Sequence, residues 1–233
     1  MTMRSGYRLT GDDVHPSNAS PAYESTRKRA PSHAPIRIAQ TLSETTGPRF
    51  VGSPVRPGEG DLTRFDGGVA IGERIVVAGR VIDEDGRPIP GIALEIWQAN
   101  AAGRYAHDAD RHDAPLDPHF SGMGRVLTGA DGGYRFMTIR PGAYPWRNHH
   151  NGWRPAHIHY SLFGPAFATR LITQMYFPGD PLLALDPIFN AVPTDARERL
   201  IAAFDIGLTM PEFALGYRFD FVLRARDAMM MES

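Results

Sequence analysis

The sequence predicts an all-β protein of the sandwich type, entered through an extended N-terminal arm and carrying one short helix. Three observations predict it. Residues 74–82 form a β-branched run, closed by the turn Asp83-Glu84-Asp85-Gly86 and by Pro88 and Pro90. Ile92, Leu94 and Ile96 then alternate with other residues, which places all three on one face of a strand. Short strand-like segments at 124–128, 133–139, 156–163, 169–177 and 217–224 follow, spaced by turn residues such as Asp131-Gly132. At 233 residues the chain has the length of one large β domain with an appendage, because such domains run to about 200–250 residues.

The arm is assigned to residues 1–67 and the sandwich to 68–233. From Gly11 to about Gly67 the chain is dense in Pro, Ser, Thr, Gly and His, without an apolar period of two or 3.6. Tyr7, Tyr23, Ile36, Ile38, Phe50, Val51 and Val55 give it apolar anchors along the body or a partner subunit. The one helix is expected at 195–204, with Thr194 or Asp195 as N-cap, Pro193 before it and Glu198 three residues after Asp195.

Composition narrows the function. With 25 basic against 26 acidic residues and no basic block, the chain lacks the electrostatics of a nucleic-acid or anionic-membrane binder. Cysteine is absent, so a metal must take N and O ligands. No secretory h-region and no membrane-length apolar run occur, so a soluble cytoplasmic protein is expected. Phosphate loops, His-Glu-x-x-His and Gly-x-Ser-x-Gly are all missing.

Three segments could carry chemistry. His157-Ile158-His159 lies in a strand, where side chains two apart share a face and two imidazoles can converge on a metal. Ile158, Tyr160 and Leu162, with Trp153 and Pro155 as flanks, give the pair an apolar neighbourhood. On spacing alone the pair also fits a solvated polar face. Pro141, Gly142 and Pro145 fix a turn that re-aims Tyr144 and Trp146, a geometry that also suits an aromatic plug at the end of a sandwich. Gly103-Arg104-Tyr105 follows the strand at 92–98 and means nothing alone. His107, Asp108, Asp110, His112 and Asp113 read as an exposed loop without a role.

Taken together, Gly103-Arg104-Tyr105, Ala143-Tyr144-Pro145-Trp146-Arg147-Asn148 and Trp153-Arg154-Pro155-Ala156-His157-Ile158-His159 resemble the iron-binding signature of the intradiol ring-cleaving dioxygenases. Matches in order extend through Ser43-Glu44-Thr45-Thr46-Gly47-Pro48, Leu94-Glu95-Ile96-Trp97-Gln98-Ala99-Asn100, Ala114-Pro115-Leu116-Asp117-Pro118 and Leu171-Ile172-Thr173-Gln174-Met175-Tyr176-Phe177. The resemblance implies the family's β-sandwich and a non-haem Fe(III), one per chain, held by Tyr105, Tyr144, His157 and His159 with a hydroxide or water. Two phenolates and a hydroxide balance the ferric charge, and a hard Lewis acid of this kind lowers the pKa of tyrosine.

By the same resemblance Tyr144 is the tyrosinate displaced by a catechol, and Arg154 stabilises negative charge developing on the substrate ring. Strict alternation would turn position 154 away from His157, but Pro155 suspends that rule. Trp146, Gln174 and Ile188 match pocket-lining positions, and Tyr23 matches an arm tyrosine that reaches a substrate carboxylate. The implied substrates are protocatechuate and O2, the product 3-carboxy-cis,cis-muconate, and the setting aromatic catabolism through the β-ketoadipate pathway. A homologous α chain is the implied partner, completing the site at its interface within a higher oligomer. Relatives that cleave catechol or hydroxyquinol carry a helical N-terminal domain, a period the Pro-rich arm lacks. The alternative outside the enzymes is a non-catalytic transthyretin-like sandwich module, which would not need all four ligands.

Overall fold

The structure, a computed structural model, describes residues 17–34, 36, 55–163 and 170–223. The motif at 43–48 and the anchors Tyr7, Ile38, Phe50 and Val51 lie outside them. Thirteen strands are described: β1 Arg64–Phe65, β2 Gly68–Val69, β3 Arg74–Asp83, β4 Ala93–Trp97, β5 Met123–Leu127, β6 Gly133–Ile139, β7 Tyr144–Pro145, β8 Trp153–Arg154, β9 His157–Phe163, β10 Arg170–Tyr176, β11 Ala203–Phe204, β12 Leu215–Arg218 and β13 Phe221–Leu223.

One antiparallel sheet runs β10-β9-β4-β5. The other centres on β3, which pairs β6 antiparallel on one side and β12 then β13 in parallel on the other. Between them lies the core, where Ile75, Val77 and Val81 of β3 meet Leu94 and Ile96 of β4 and Ile158, Tyr160 and Leu162 of β9. The expected sandwich is therefore present, and Ile92, Leu94 and Ile96 are buried together as their alternation requires. Each such aliphatic side chain contributes about 1.5–3 kcal/mol by leaving water.

The strand expected at 217–224 is two strands, because the chain bends across β3 at Phe219 and Asp220. Phe219 donates its N–H to Ala78 O at 3.0 Å, while Asp220 Oδ1 accepts from Arg80 N at 2.7 Å. The crossing needs a glycine: a Cβ at Gly79 would sit 1.8 Å from the Phe219 carbonyl oxygen. Since backbone cannot yield as a flexible side chain can, Gly79→Ala is expected to destabilise the fold by about 3 kcal/mol. Urea denaturation checks this, and a loss below about 1 kcal/mol would contradict the crossing.

Helical structure differs from expectation as well. Three one-turn helices are described, α1 Thr26–Arg29, α2 Pro187–Ala191 and α3 Thr194–Arg197, with 3-10 turns at Leu183–Leu185 and Glu198–Leu200. The helix expected at 195–204 thus ends early, and its N-cap position is Pro193, with no side-chain cap from Thr194 or Asp195. Ile201 instead becomes extended and bridges Tyr176, whose carbonyl accepts Ala202 N at 2.8 Å. Leu200 and Ile201 pack on Tyr176, Leu183 and Phe189, a tertiary contact that overrides helical propensity.

The segment before β1 is held on the second sheet. Leu62 is a core residue, its N–H donates to Met137 O, and Met137 N–H donates to Gly60 O, both at 2.8 Å. Ile36, expected as an anchor, is 88% exposed. Among the described residues no helix is long and apolar enough to cross a membrane.

Candidate metal centre

Strand β9 delivers the two histidines. With Ile158, Tyr160 and Leu162 committed to the core, alternation turns His157 and His159 to the opposite face of the sheet. The apolar neighbourhood expected from Ile158, Tyr160 and Leu162 is therefore supplied instead by residues from other strands. Trp97, paired with His159 in register, stacks on its ring at 4.8 Å and 3°. The Tyr176 ring lies 5.8 Å from that of His157.

His157 Nδ1 lies 2.7 Å from the Pro155 carbonyl, which can only accept. That contact fixes the proton on Nδ1 and leaves Nε2 with a free lone pair. Nε2 faces His159 Nε2 at 3.1 Å and the Tyr144 hydroxyl at 3.3 Å. Tyr105 meets Tyr144 edge-on at 5.3 Å and lies 6.4 Å from the His159 ring. Its hydroxyl is buried without a hydrogen-bond partner.

Two segments outside β9 bring in the tyrosines. Tyr144, in β7, pairs with Arg154 of β8, so the β7–β8 hairpin aims both inward. Tyr105 ends a loop locked to that hairpin through Gly103, whose φ is +76° and whose added Cβ would lie 2.0 Å from Ala143 O. Asp110 accepts the Tyr105 N–H at 2.8 Å and His112 Nδ1 lies 3.1 Å from Gly103 O. Two residues of the polar loop given no role thus shape the turn that carries Tyr105.

Burial moves all four donors toward neutrality. It holds His157 far below the usual histidine range, helped by Arg154 and His159, and pushes His159 down to about 3 with Arg154 as the second cause. Both phenols are raised by burial, Tyr105 further by Tyr144, whereas Arg154 partly offsets the rise at Tyr144. Two unprotonated imidazoles and two buried phenols, one without a partner, suit a multiply charged cation that converts phenol to phenolate. Among the described residues no group of three or more His, Cys, Asp or Glu could hold a metal, so a metal at this place would need the tyrosine oxygens as well as the imidazoles.

Arg154 is 2% exposed. Its Nη2 donates to Asp186 Oδ2 at 2.8 Å, Gln174 Oε1 at 2.6 Å and the Tyr176 hydroxyl at 3.1 Å, and its Nε donates to Asp186 Oδ2 at 3.1 Å. Burial alone would lower its pKa, but Tyr176 and Asp186 outweigh that and raise it, so the guanidinium stays charged. Gln174 Nε2 lies 3.4 Å from His159 Nδ1, linking this cluster to the histidines. Arg154 also lies 5.4 Å over Trp146, which meets Tyr23 of the arm at 4.7 Å. Tyr23 and Ile188 line one cavity of about 440 Å³, together with Arg29.

All nine residues singled out in the sequence are therefore connected. Sequence reasoning missed Asp186, Trp97 and Tyr176. Asp186 was within reach, because Asp before Pro187 is a helix-start signal. Nothing local distinguishes Trp97 or Tyr176 from core aromatics.

A β-sandwich that gathers two phenols and two imidazoles beside one sheet has the makings of a non-haem metalloprotein. A family model described as Dioxygenase matches residues 45–225, and one described as Protocatechuate 3,4-dioxygenase beta subunit N terminal matches residues 7–41. The chain is 54% identical over 220 residues to the protocatechuate 3,4-dioxygenase beta chain of Burkholderia cepacia, covering 94% of each. It is 31% identical to the alpha chain of the same enzyme from that organism, over 82% of this chain and 95% of the other. Hydroxyquinol 1,2-dioxygenase from Pseudomonas putida DLL-E4 shares the fold with a TM-score of 0.57 at 25% identity, over 87% of this chain and 71% of that one. The chain belongs to the intradiol dioxygenase family, whose members are ring-cleaving enzymes and generally iron-dependent.

Proposed function

We propose that this chain is the metal-bearing subunit of an α/β enzyme that cleaves protocatechuate between its two hydroxyl-bearing carbons. O2 supplies both added oxygens, so 3-carboxy-cis,cis-muconate forms without an external reductant, as a step of aromatic catabolism feeding the β-ketoadipate pathway. The observation that carries this reading is the convergence of Tyr105, Tyr144, His157 and His159 in a chain 54% identical to a protocatechuate 3,4-dioxygenase beta chain.

The donor set fits Fe(III), one per chain, with Tyr105, Tyr144, His157 and His159 as ligands. When bound, the ion supplies Lewis acidity, which makes the phenols phenolates and polarises a catechol ring. Tyr144 then takes up a proton from an incoming catechol hydroxyl at its phenolate oxygen. Arg154, charged and water-excluded, stabilises negative charge as it develops on the ring. Gln174 holds His159 and Arg154 in fixed relation. Ile188 gives the cavity an apolar wall, Trp146 backs Tyr23 from the side of Arg154, and Tyr23 with Arg29 gives a carboxylate-bearing ring a polar, cationic end.

A homologous α chain is the partner in this reading. In its support, the sheet face that bears the histidines also exposes Ile172, Met123 and Leu127, each more than half accessible. Residues 1–67 serve as an arm along the body and this partner, with Tyr23 on Trp146 and Glu24 N–H donating to Asn148 O at 3.0 Å.

The test is iron content and a visible absorption spectrum on the chain co-expressed with the α partner, before and after adding protocatechuate under nitrogen. A phenolate-to-metal band that shifts with substrate is expected. A folded, colourless complex that cannot be loaded with iron would end this reading in favour of the non-catalytic sandwich. Tyr144→Phe is expected to keep iron and lower kcat by about 10²-fold, the scale of a lost general base. Turnover at the wild-type rate would remove Tyr144 from proton transfer.

A further inference from the structure

Asp186 is completely buried and belongs to no ligand set. One oxygen, Oδ2, accepts both Nε and Nη2 of Arg154, at 3.1 and 2.8 Å. The other, Oδ1, accepts the Ile188 N–H at 2.9 Å and caps helix α2, in which Pro187 takes the first position. A single carboxylate therefore holds the direction of the guanidinium and the start of the helix that presents Ile188 to the cavity. Thirty-two residues separate Asp186 from Arg154 in sequence.

Two features make this more than an ordinary ion pair. First, Arg154 has a second set of partners, Gln174 Oε1 and the Tyr176 hydroxyl, on the same Nη2 that meets Asp186. Tyr176 also donates to Gln174 Oε1 at 2.7 Å, which turns the amide nitrogen of Gln174 toward His159. A continuous chain of contacts thus runs from Asp186 through Arg154 and Gln174 to His159. Second, the acceptors that remain to the guanidinium without Asp186, Gln174 Oε1 and the Tyr176 hydroxyl, both lie on the histidine side.

We propose that Asp186 is the positioning residue of the site, aiming Arg154 at the substrate ring and seating Ile188 through the same carboxylate. This rests on the ring-cleavage reading for Arg154, but the geometry it asserts can be measured without turnover.

Asp186→Asn is the decisive variant. Asparagine is among the strongest N-caps, so its oxygen keeps the Ile188 N–H and its NH2 group faces the guanidinium, donor against donor. In crystals of Asp186→Asn the guanidinium is expected to have moved from its place between Trp146 and Gln174. In the α/β holoenzyme, kcat is expected to fall roughly 10- to 100-fold, the scale of a misplaced catalytic group, while KM and iron content change little. In an Arg154→Ala background the same substitution is expected to raise Tm, by removing an uncompensated buried charge, and to lower kcat far less than it does when Arg154 is present. An unmoved guanidinium, or an equal loss of kcat with and without Arg154, would overturn the proposal. Should the wild-type complex not cleave catechols, the ring-cleavage reading fails while the guanidinium position still decides the role of Asp186.

Discussion

Replacing Arg154 by alanine is expected to lower ring-cleavage kcat by about 10²–10³-fold, the scale for losing one preorganised charge-stabilising group. Iron content should survive, because Arg154 is bonded to Asp186, Gln174 and Tyr176 and is not one of the four donors. Stability should not survive intact. Asp186 is left fully buried and unpaired, and breaking a buried pair from one side costs about 3–5 kcal/mol. The two losses separate experimentally: steady-state kinetics on iron-loaded complex report the first and denaturant unfolding the second. A variant with wild-type kcat would leave Arg154 as a structural ion pair only.

The largest effect on metal is expected from His157→Ala, which should abolish iron binding. His157 is the best defined donor of the four, since the Pro155 carbonyl fixes its tautomer and its free Nε2 points at both His159 and Tyr144. Its ring is packed against Tyr144, His159 and Tyr176. Deleting this side chain also removes packing, at about 1–3 kcal/mol. Metal analysis of the purified complex gives the answer, and full iron occupancy would exclude His157 as a ligand. Far-ultraviolet circular dichroism distinguishes an empty site from an unfolded chain.

Much of this site was legible before any fold was known, and its legibility was local. His157 and His159 share a face because side chains two apart in a strand always do, and Ile158 between them marks the other face as core. Pro141, Gly142 and Pro145 announce a shaped turn beside Tyr144. The family resemblance then connected segments that spacing alone could not. Where local reasoning erred, non-local contacts had taken over. The helix at 195–204 stopped because Ile201 and Ala202 join Tyr176, and the strand at 217–224 broke because it crosses Gly79.

The sequence by itself determined the β-sandwich class, the inward face of β4, the shared face of the two histidines and the absence of any thiolate chemistry. Each depends on alternation or composition, properties that neighbouring residues possess together. Only the tertiary structure decided what surrounds the donors: Trp97 on His159, Gly103 against Ala143, and Asp186 behind Arg154. Those contacts span tens of residues, and they exist because sheet register and loop crossing put distant segments at one sheet face. No local period encodes that placement, since it results from burying one core between two sheets.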